Sequence, residues 1–249
     1  MISLKGPEEI KKMRAAGKIV GALLEELAGR VKPGVSTREL DSFSRQFIEK
    51  HGAIPTFLGY QGYPATICAS VNEQVVHGIP NDKKLEEGDI VGIDVGATLA
   101  GWVGDAARSF PAGKISSKAR GLLEVTRESL EKGLEQAREG NHLQDIGFAI
   151  QSYVEAKGYA VVRDFVGHGI GREMHEPPQI PNYGKKGLGI KIKKGMAFAI
   201  EPMINVGGYA VKVLEDGWTV VTKDGSLSAH FEDTVIVSDD KPEIMTRLS

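Results

Sequence analysis

Cysteine is nearly absent from this sequence: Cys68 is the one cysteine among 249 residues. A single thiol excludes a disulfide within the chain and is typical of a reducing compartment. The chain also has no excess of one charge, because 31 basic and 33 acidic residues leave a formal net charge of −2. This balance argues against nucleic acid or a membrane surface as a partner.

Long apolar runs are missing as well. No segment approaches the roughly 20 apolar residues of a membrane-spanning helix, and the charged residues 1–9 lack the apolar core of a signal peptide. With 41% hydrophobic and 26% charged residues, the composition is that of an ordinary globular protein. We therefore expect a cytoplasmic protein, and its length allows one large domain or two small ones.

The residue pattern predicts helices that alternate with short strands. Pro7 begins a helix that reaches Leu27, and Ser36 with Glu39 forms a capping box for a second helix that stops near Gly52. Two further helices are predicted at residues 117–138 and 143–157. The predicted strands are residues 66–71, 90–95, 102–110, 159–166, 196–203 and 231–237.

The second half of the chain repeats the first at an offset of 106 residues. Leu24-Glu25, Gly34, Glu49 and Gly52 recur as Leu130-Glu131, Gly140, Glu155 and Gly158. After one inserted residue, Gly62, Gly88 and Ile93 recur as Gly169, Gly195 and Ile200. Each half has too few elements to cover a sheet alone. We expect one catalytic domain, 1–249, made of two pseudo-symmetric halves, about 1–112 and 113–249.

Asp94 and Asp105 stand in apolar strands, where an unpaired buried charge is costly. If the turn between them closes from Thr98 to Gly101, Asp94 pairs with Asp105, and their Cβ atoms lie about 4.5–5.5 Å apart. Two ionised carboxylates this close repel each other unless one is protonated or a cation lies between them. A divalent metal is the simplest explanation of the pair.

The repeat extends this pair to a larger candidate ligand set. It relates Asp94 to Glu201 and Gln61 to His168, and Asp105 has a plausible counterpart in Glu232. Four carboxylates match two divalent cations, and an oxygen-rich set without thiolate suits Mn, Fe or Co, with Zn as an alternative. Two metals about 3.5–4 Å apart can share a bridging water and polarise a carbonyl or phosphoryl group. The predicted chemistry is metal-assisted hydrolysis.

Each candidate also has a simpler interpretation. An isolated strand aspartate is often a salt-bridge partner, Glu232 beside Asp233 could face solvent, and His168 could be a turn histidine; the symmetric arrangement favours the metal site. His77 and His175 stand at strand-to-loop boundaries as donors or proton shuttles, or as ordinary loop residues. We expect His51 and His142, at helix ends, to be incidental. We expect strand alternation to direct His230 away from Glu232.

Longer motifs occur in a fixed order along the whole chain. They are residues 10–17, 32–37, 70–73, 77–80, 88–90, 93–95, 104–105, 167–171, 175–176, 200–203, 216–219 and 230–234. The most specific are Gly167-His168-Gly169-Ile170-Gly171 and Ile200-Glu201-Pro202-Met203. In order and spacing, these motifs closely resemble the type I methionine aminopeptidases, which remove the initiator methionine from new polypeptides when the second residue is small.

The resemblance implies the α/β (α+β) pita-bread fold, a pseudo-twofold curved antiparallel sheet covered by helices. It implies that Asp94 binds one metal, that Asp105 and Glu232 bridge two, and that His168 and Glu201 complete the other. Glu201 would also move protons from the bridging water to the leaving amine. His77 and His175 would donate hydrogen bonds to the scissile peptide and its oxyanion.

The resemblance also implies a methionine pocket, which suits a flexible thioether because it is apolar, aromatic and sulfur-containing. Carried over by position, it consists of Phe57, Tyr60, Tyr63, Cys68, Met174 and Trp218, with His77 and His175 also contacting substrate. Residues of these types could equally be ordinary core. Two positions depart from the family pattern: Gln61 stands where His is frequent, and Met174 where Phe is frequent.

The expected protein is a monomeric, cytoplasmic enzyme of the compact bacterial type. Its expected partners are the N-terminal methionine of nascent peptides and, transiently, the ribosome, without nucleic-acid specificity. Two alternatives stay open. One is an X-Pro peptidase of the same fold, although those relatives usually carry an extra N-terminal domain for which residues 1–4 leave no space. The other is a non-catalytic binding member, which would be expected to lose metal ligands.

Overall fold

The computed structural model describes residues 2–239 and 241–248, so positions 1, 240 and 249 of the predicted domain lie outside the described residues. Within these ranges the α-helices are α1 (Pro7–Ala28), α2 (Thr37–Lys50), α3 (Ser117–Leu134) and α4 (Leu143–Ala156), and a 3-10 turn spans Tyr60–Gly62. The strands are β1 (Ile54–Pro55), β2 (Ile67–Val71), β3 (Gln74–Val76), β4 (Ile90–Leu99), β5 (Trp102–Pro111), β6 (Ala160–Val161), β7 (Gly167–Gly169), β8 (Glu176–Ile180), β9 (Ala197–Ile200), β10 (Met203–Asn205), β11 (Val211–Val213), β12 (Val220–Thr222), β13 (Ser228–His230), β14 (Glu232–Ile236) and β15 (Glu243–Ile244).

The four predicted helices are present, and their first residues follow from local sequence. Pro7 occupies the first turn of α1, where its missing N–H costs nothing. The predicted capping box begins α2, since the Ser36 side chain accepts from the Glu39 N–H and the Glu39 carboxylate accepts from the Ser36 N–H at 2.7 Å. The third helix ends at Leu134 instead of Arg138, because the chain continues in tighter 3-10-like turns.

Two strand predictions need correction. Only Ala160–Val161 of the segment 159–166 is a strand. The segment 196–203 divides into β9 and β10 around Glu201 and Pro202, because proline cannot donate to a strand ladder. Among the remaining predictions, the strand that begins at Ile90 extends to Leu99.

The largest sheet has the antiparallel strand order β1-β4-β5-β14-β9-β7-β8, with β2 also paired to β4 and β15 to β14. Helix α1 packs on β4 and β5, and α3 packs on β9, β10 and β13. Two apolar cores lie under these helices, one around Leu23, Leu27 and Ile93, the other around Leu122, Ile146 and Phe198. Among the described residues, the helices include none long and apolar enough to cross a membrane.

The hairpin between β4 and β5 closes one residue later than predicted, which shifts the pairing register by two residues. Leu99 pairs with Trp102, and Ala100 and Gly101 form the two-residue turn with φ of 50° and 75°, as a type I′ turn requires. Asp94 therefore pairs with Ala107 rather than with Asp105. Because strand side chains alternate with period two, a slip of two residues leaves both carboxylates on one face as diagonal neighbours.

Candidate metal centre and substrate cavity

Acidic side chains form a row across the middle of the large sheet. Asp94 on β4 and Glu232 on β14 are both paired with Ala107 of β5, which lies between them. On the far side of β14, Asp233 pairs with Ile200, so the same register continued by one residue brings Glu201 opposite Glu232. Ala107 has no side chain beyond Cβ, so the middle of this row holds space between carboxylates.

Asp105 and His168 complete the cluster from positions two residues away from the row. Ligand atoms of Asp105, His168 and Glu232 all lie within 4.8 Å of one another. Nε2 of His168 is 3.5 Å from Oε1 of Glu201 and 3.9 Å from Oδ2 of Asp105. The other ring nitrogen, Nδ1, is 2.9 Å from the carbonyl oxygen of Gly169. This bond places the proton on Nδ1 and leaves Nε2 free as a ligand atom.

These donors fit a divalent cation. Within the described parts of the chain, Oδ1 of Asp94, Oδ1 of Asp105 and Oε1 of Glu232 are buried without a hydrogen-bond partner. Buried polar atoms are rarely left unpartnered, so three such oxygens in one cluster are suited to bind a cation. Four carboxylates with one imidazole form the hard, oxygen-rich donor set that such ions take.

The pKa values of the cluster show how strongly the carboxylates repel one another without a cation. Burial raises the pKa of Asp94 to about 7. Burial and the charges of neighbouring carboxylates raise the pKa values of Asp105, Glu201 and Glu232 well above their ordinary values. Burial lowers the pKa of His168 to about 4. The imidazole is therefore neutral at pH 7, the form in which histidine binds metals.

A cavity of about 190 Å³ opens directly onto this cluster. Its walls contain all thirteen residues predicted from the sequence, namely the five metal ligands, the two further histidines and the six pocket residues. The six pocket residues belong to one apolar cluster, in which Phe57, Tyr63, Cys68 and Met174 are buried. Cys68 pairs with Asp94 across β2 and β4, so its thiol lies on the same face of the sheet as the candidate metal ligands. Gln61, which departs from the family pattern, also lines the cavity.

His77 and His175 reach the cavity from two different loops. His175 is stacked edge-on against His168, with ring centroids 4.3 Å apart, and its Nδ1 is 2.7 Å from the hydroxyl of Tyr60. His77 has a φ of 59°, a conformation that non-glycine residues adopt rarely, and packs against Trp218 with centroids 6.3 Å apart. Burial lowers the pKa of both rings, to about 4 for His77, so both are neutral at pH 7.

Several residues of this site were not predicted, among them His230, Met203 and Phe165. The expectation that His230 faces away is wrong: its Nε2 lies 3.8 Å from Oε2 of Glu201 and 4.0 Å from Oε2 of Glu232. Residues two apart on a strand share a face, and that signal links His230 to Glu232. Met203, the first residue of β10 and two positions after Glu201, also lines the cavity. Phe165 also lines it and packs on His77, but its sequence context gives no comparable signal.

Comparisons with known proteins agree on one family. The sequence model of Metallopeptidase family M24 matches residues 11–239. A methionine aminopeptidase from Clostridium acetobutylicum is 56% identical over 247 residues, which cover 99% of each chain. The crystal structure of a methionine aminopeptidase from Rickettsia prowazekii superposes with a TM-score of 0.98 at 49% identity, covering 99% of this chain and 100% of the other.

A more distant match bears on the X-Pro alternative. An Xaa-Pro dipeptidase from Bacillus anthracis has a TM-score of 0.79 and 25% identity. The match covers 99% of this chain but only 62% of the dipeptidase, whereas the two methionine aminopeptidases are covered almost completely. Sequence identity and coverage therefore both place this chain nearer to the methionine aminopeptidases than to the Xaa-Pro dipeptidase.

Proposed function

The chain belongs to metallopeptidase family M24, and we propose that it removes the initiator methionine from new polypeptides whose second residue is small. It is a metal-dependent aminopeptidase with the pita-bread fold, as its full-length relatives are. One observation carries the proposal: five candidate ligands with three unpartnered carboxylate oxygens converge on the wall of an apolar, aromatic cavity.

We propose that the cluster holds two divalent cations, with Mn, Fe or Co preferred and Zn as an alternative. Asp94, Asp105, His168, Glu201 and Glu232 would be the ligands. The support is electrostatic, since four carboxylates need about four compensating positive charges. Cations bound there would lower the pKa of water and polarise the scissile carbonyl.

Glu201 is the proposed general base and acid. Without cations, burial and its acidic neighbours raise the pKa of its carboxyl well above the ordinary value. Because the carboxyl lines the cavity, it is placed to take up a proton and later release it to the leaving amine. The carboxylate is 13% exposed at the edge of the cavity, so substrate can reach it while bulk water is largely excluded.

His77 and His175 are the proposed donors to the substrate. Neutral imidazoles on two loops can donate N–H groups to an oxygen on which negative charge develops. The Tyr60 hydroxyl beside Nδ1 of His175 orients that ring. The left-handed backbone of His77 supports a functional role, because such strain persists mainly at functional sites.

The methionine side chain is expected to enter the apolar part of the cavity. Phe57, Tyr60, Tyr63, Met174 and Trp218 offer aromatic and thioether surfaces that match a flexible thioether. The hydroxyl of buried Tyr63 lies 3.0 Å from the backbone carbonyls of both Ile67 and Gly78, which share its one proton. This anchoring leaves an apolar ring face for the substrate.

Peptide hydrolysis tests the proposal. Metal-loaded protein should cleave Met-Ala-Ser, and should spare Met-Lys peptides and acetylated Met-Ala. Release of residues next to proline, with Met-Ala-Ser untouched, would move the assignment to the X-Pro peptidases. Failure to cleave any of these peptides would leave a binding protein of the same fold. Metal analysis after purification without added metal, followed by reactivation with Mn, Fe, Co and Zn, identifies the ions.

Four properties complete the proposal. Residues 1–249 form one catalytic domain of two pseudo-symmetric halves, supported by the matching order β4-β5 and β9-β14 on the two sides of the sheet centre. The enzyme is cytoplasmic, where new polypeptides emerge, and acts as a monomer. Its association with the ribosome is transient. Size-exclusion chromatography and co-sedimentation with ribosomes test the last two.

A further inference from the structure

His230 is buried beside the metal cluster, and the proposed function gives it no role. The residue is 3% exposed. Its Nε2 lies 3.8 Å from Oε2 of Glu201 and 4.0 Å from Oε2 of Glu232. This nitrogen has no hydrogen-bond partner in the described part of the chain. An imidazole nitrogen left unpartnered at full burial needs an explanation.

The backbone of His230 is held from two sides. His230 pairs with Met203 across β13 and β10. On the other side, the hydroxyl of Ser109 on β5 accepts from the His230 N–H and donates to the His230 carbonyl, each at 3.0 Å. Contacts with two neighbouring strands therefore fix the backbone position of His230. Its imidazole lies near the carboxylates because of this backbone position.

The two oxygens of Glu201 face different imidazoles. Oε1 lies 3.5 Å from Nε2 of His168, whereas Oε2 lies 3.8 Å from Nε2 of His230. Among the hydrogen bonds of residues 2–239 and 241–248, none reaches either oxygen. A carboxylate that gives one oxygen to a metal is usually oriented by a hydrogen bond to the other. His230 is in position to supply that bond.

The two imidazoles differ in how their protons are fixed. Nδ1 of His168 is hydrogen-bonded to the carbonyl of Gly169, which leaves Nε2 as a ligand atom. No such bond holds Nδ1 of His230 within the ranges that the structure describes. An imidazole can donate from Nε2 whether it is neutral or protonated. The donor role therefore suits His230 better than the ligand role.

We propose that His230 is a positioning residue, whose Nε2–H donates to Oε2 of Glu201 and turns Oε1 toward the metal. The inference rests on the proposed function for the identity of Glu201 as a ligand. The distance has to shorten from 3.8 Å to about 2.9 Å, which a rotation of the carboxylate about its terminal torsion allows, since that torsion is broad.

Metal affinity tests the proposal without reference to turnover. Mn²⁺ binding to the metal-free full chain is measured by titration calorimetry for wild type, His230→Leu and His230→Gln. Leucine removes the donor, and we expect affinity to fall by about 10- to 100-fold. Glutamine keeps an N–H donor of similar reach, and its affinity should stay within about threefold of wild type. Equal affinities in wild type and His230→Leu would overturn the proposal.

Two further measurements separate positioning from other roles. Thermal unfolding of the metal-free proteins should show His230→Leu no less stable than wild type, because the lost nitrogen was unpartnered; a large loss there would make the role structural. X-ray absorption of the Mn-loaded protein should count the same number of imidazoles in wild type and His230→Gln. One imidazole fewer in the variant would make His230 a ligand and overturn the proposal. If these results hold while Met-Ala-Ser stays uncleaved, the proposed function fails and the positioning role stands.

Discussion

Replacing Lys5 by methionine is expected to disconnect the N-terminal segment from the loop that carries His175. Nζ of Lys5 lies 2.6 Å from Oε2 of Glu176, and the Ser3 hydroxyl donates to the same oxygen at 2.9 Å. The other oxygen of Glu176 accepts the backbone N–H groups of residues 172–173 at 2.8 and 3.3 Å. One carboxylate therefore joins the start of the chain to the loop beside the cavity.

The size of the effect follows from burial. The side chains of Lys5 and Glu176 are 4% and 17% exposed. Removing one partner of a buried ion pair costs about 3–5 kcal/mol of unfolding free energy. Because Glu176 keeps the Ser3 and backbone donors, we expect the lower end, about 3 kcal/mol. For a chain of this length that corresponds to a Tm lower by about 6–12 °C.

A double-mutant cycle measures the pair itself. Urea unfolding of metal-free wild type, Lys5→Met, Glu176→Gln and the double variant should give a coupling of about 1–3 kcal/mol. Lys84→Met is the matched control, because Lys84 pairs with Glu39 at 2.7 Å with both side chains more than half exposed, and such pairs contribute about 0–1 kcal/mol. A coupling near zero, or an equal loss in the control, would refute the reasoning.

The pH dependence supplies a second check on the same pair. Burial acts to raise the pKa of Glu176, but hydrogen bonds from Lys5 and Ser3 outweigh it and hold that pKa below its ordinary value. A carboxyl with a lowered pKa stabilises the fold above its unfolded pKa, and the stabilisation is lost as pH falls through the folded value. The difference in unfolding free energy between wild type and Lys5→Met should have its full size at pH 7 and should decrease below about pH 4. A difference that is constant down to pH 3 would contradict this account.

Four other changes have expected outcomes. Glu201→Gln and His168→Ala should each lower turnover of Met-Ala-Ser by about 10²-fold or more with unchanged circular dichroism, and wild-type rates in either would contradict the site. Ala107→Val should weaken Mn²⁺ binding by about tenfold or more in calorimetry, because its methyl groups enter the space between the carboxylates; unchanged affinity would contradict that geometry. Asp233→Asn should cost about 3–5 kcal/mol in urea unfolding, since the buried carboxylate lies 2.6 Å from each of two arginines; equal stability would contradict it. Burial and the charge of a neighbouring carboxylate raise the pKa of the Cys68 thiol, so iodoacetamide should label it at pH 7.5 only after unfolding, as mass spectrometry would show.

The helices and the candidate ligands were predictable because their signals are local or periodic. Pro7 and the Ser36 capping box mark helix starts wherever they occur, and the internal repeat relates Asp94 to Glu201 without any tertiary information. The register of the first hairpin was not predictable in this way. It depends on Ala100 adopting a positive φ, which its side chain disfavours and which the pairing of ten residue pairs between β4 and β5 enforces.

Ion pairs between segments that are far apart in the sequence could not be predicted from local sequence patterns. Lys5 and Glu176 are 171 residues apart, and no sequence motif at either position indicates that the two residues pair. The pair of Arg247 with the buried Asp233 likewise links the chain's last described residues to β14. Such pairs are decided by packing in three dimensions, so the sequence shows only that charged residues are available.

The internal repeat accounts for the row of acidic side chains across the sheet. The cavity lies where the two halves differ. In the second half, β7 lies between β9 and β8 and carries His168, which pairs with Ala199. In the first half the related residue, Gln61, lies in the 3-10 turn at Tyr60–Gly62 with a φ of 50°. Among the described residues of the first half there is therefore no strand equivalent to β7, and β2 pairs directly with β4.

This difference has chemical consequences for the two sides of the site. On the second side, an added strand brings an imidazole to the carboxylates. On the first side, the turn and its neighbours present Phe57, Tyr60 and Tyr63 to the cavity, and Cys68 pairs with Asp94. The repeat thus accounts for candidate acidic ligands on or beside four strands, while the unequal flanks supply a candidate nitrogen ligand on one side and an apolar cavity wall on the other. A fully symmetric duplicate would repeat the carboxylates without this apolar cavity wall beside them.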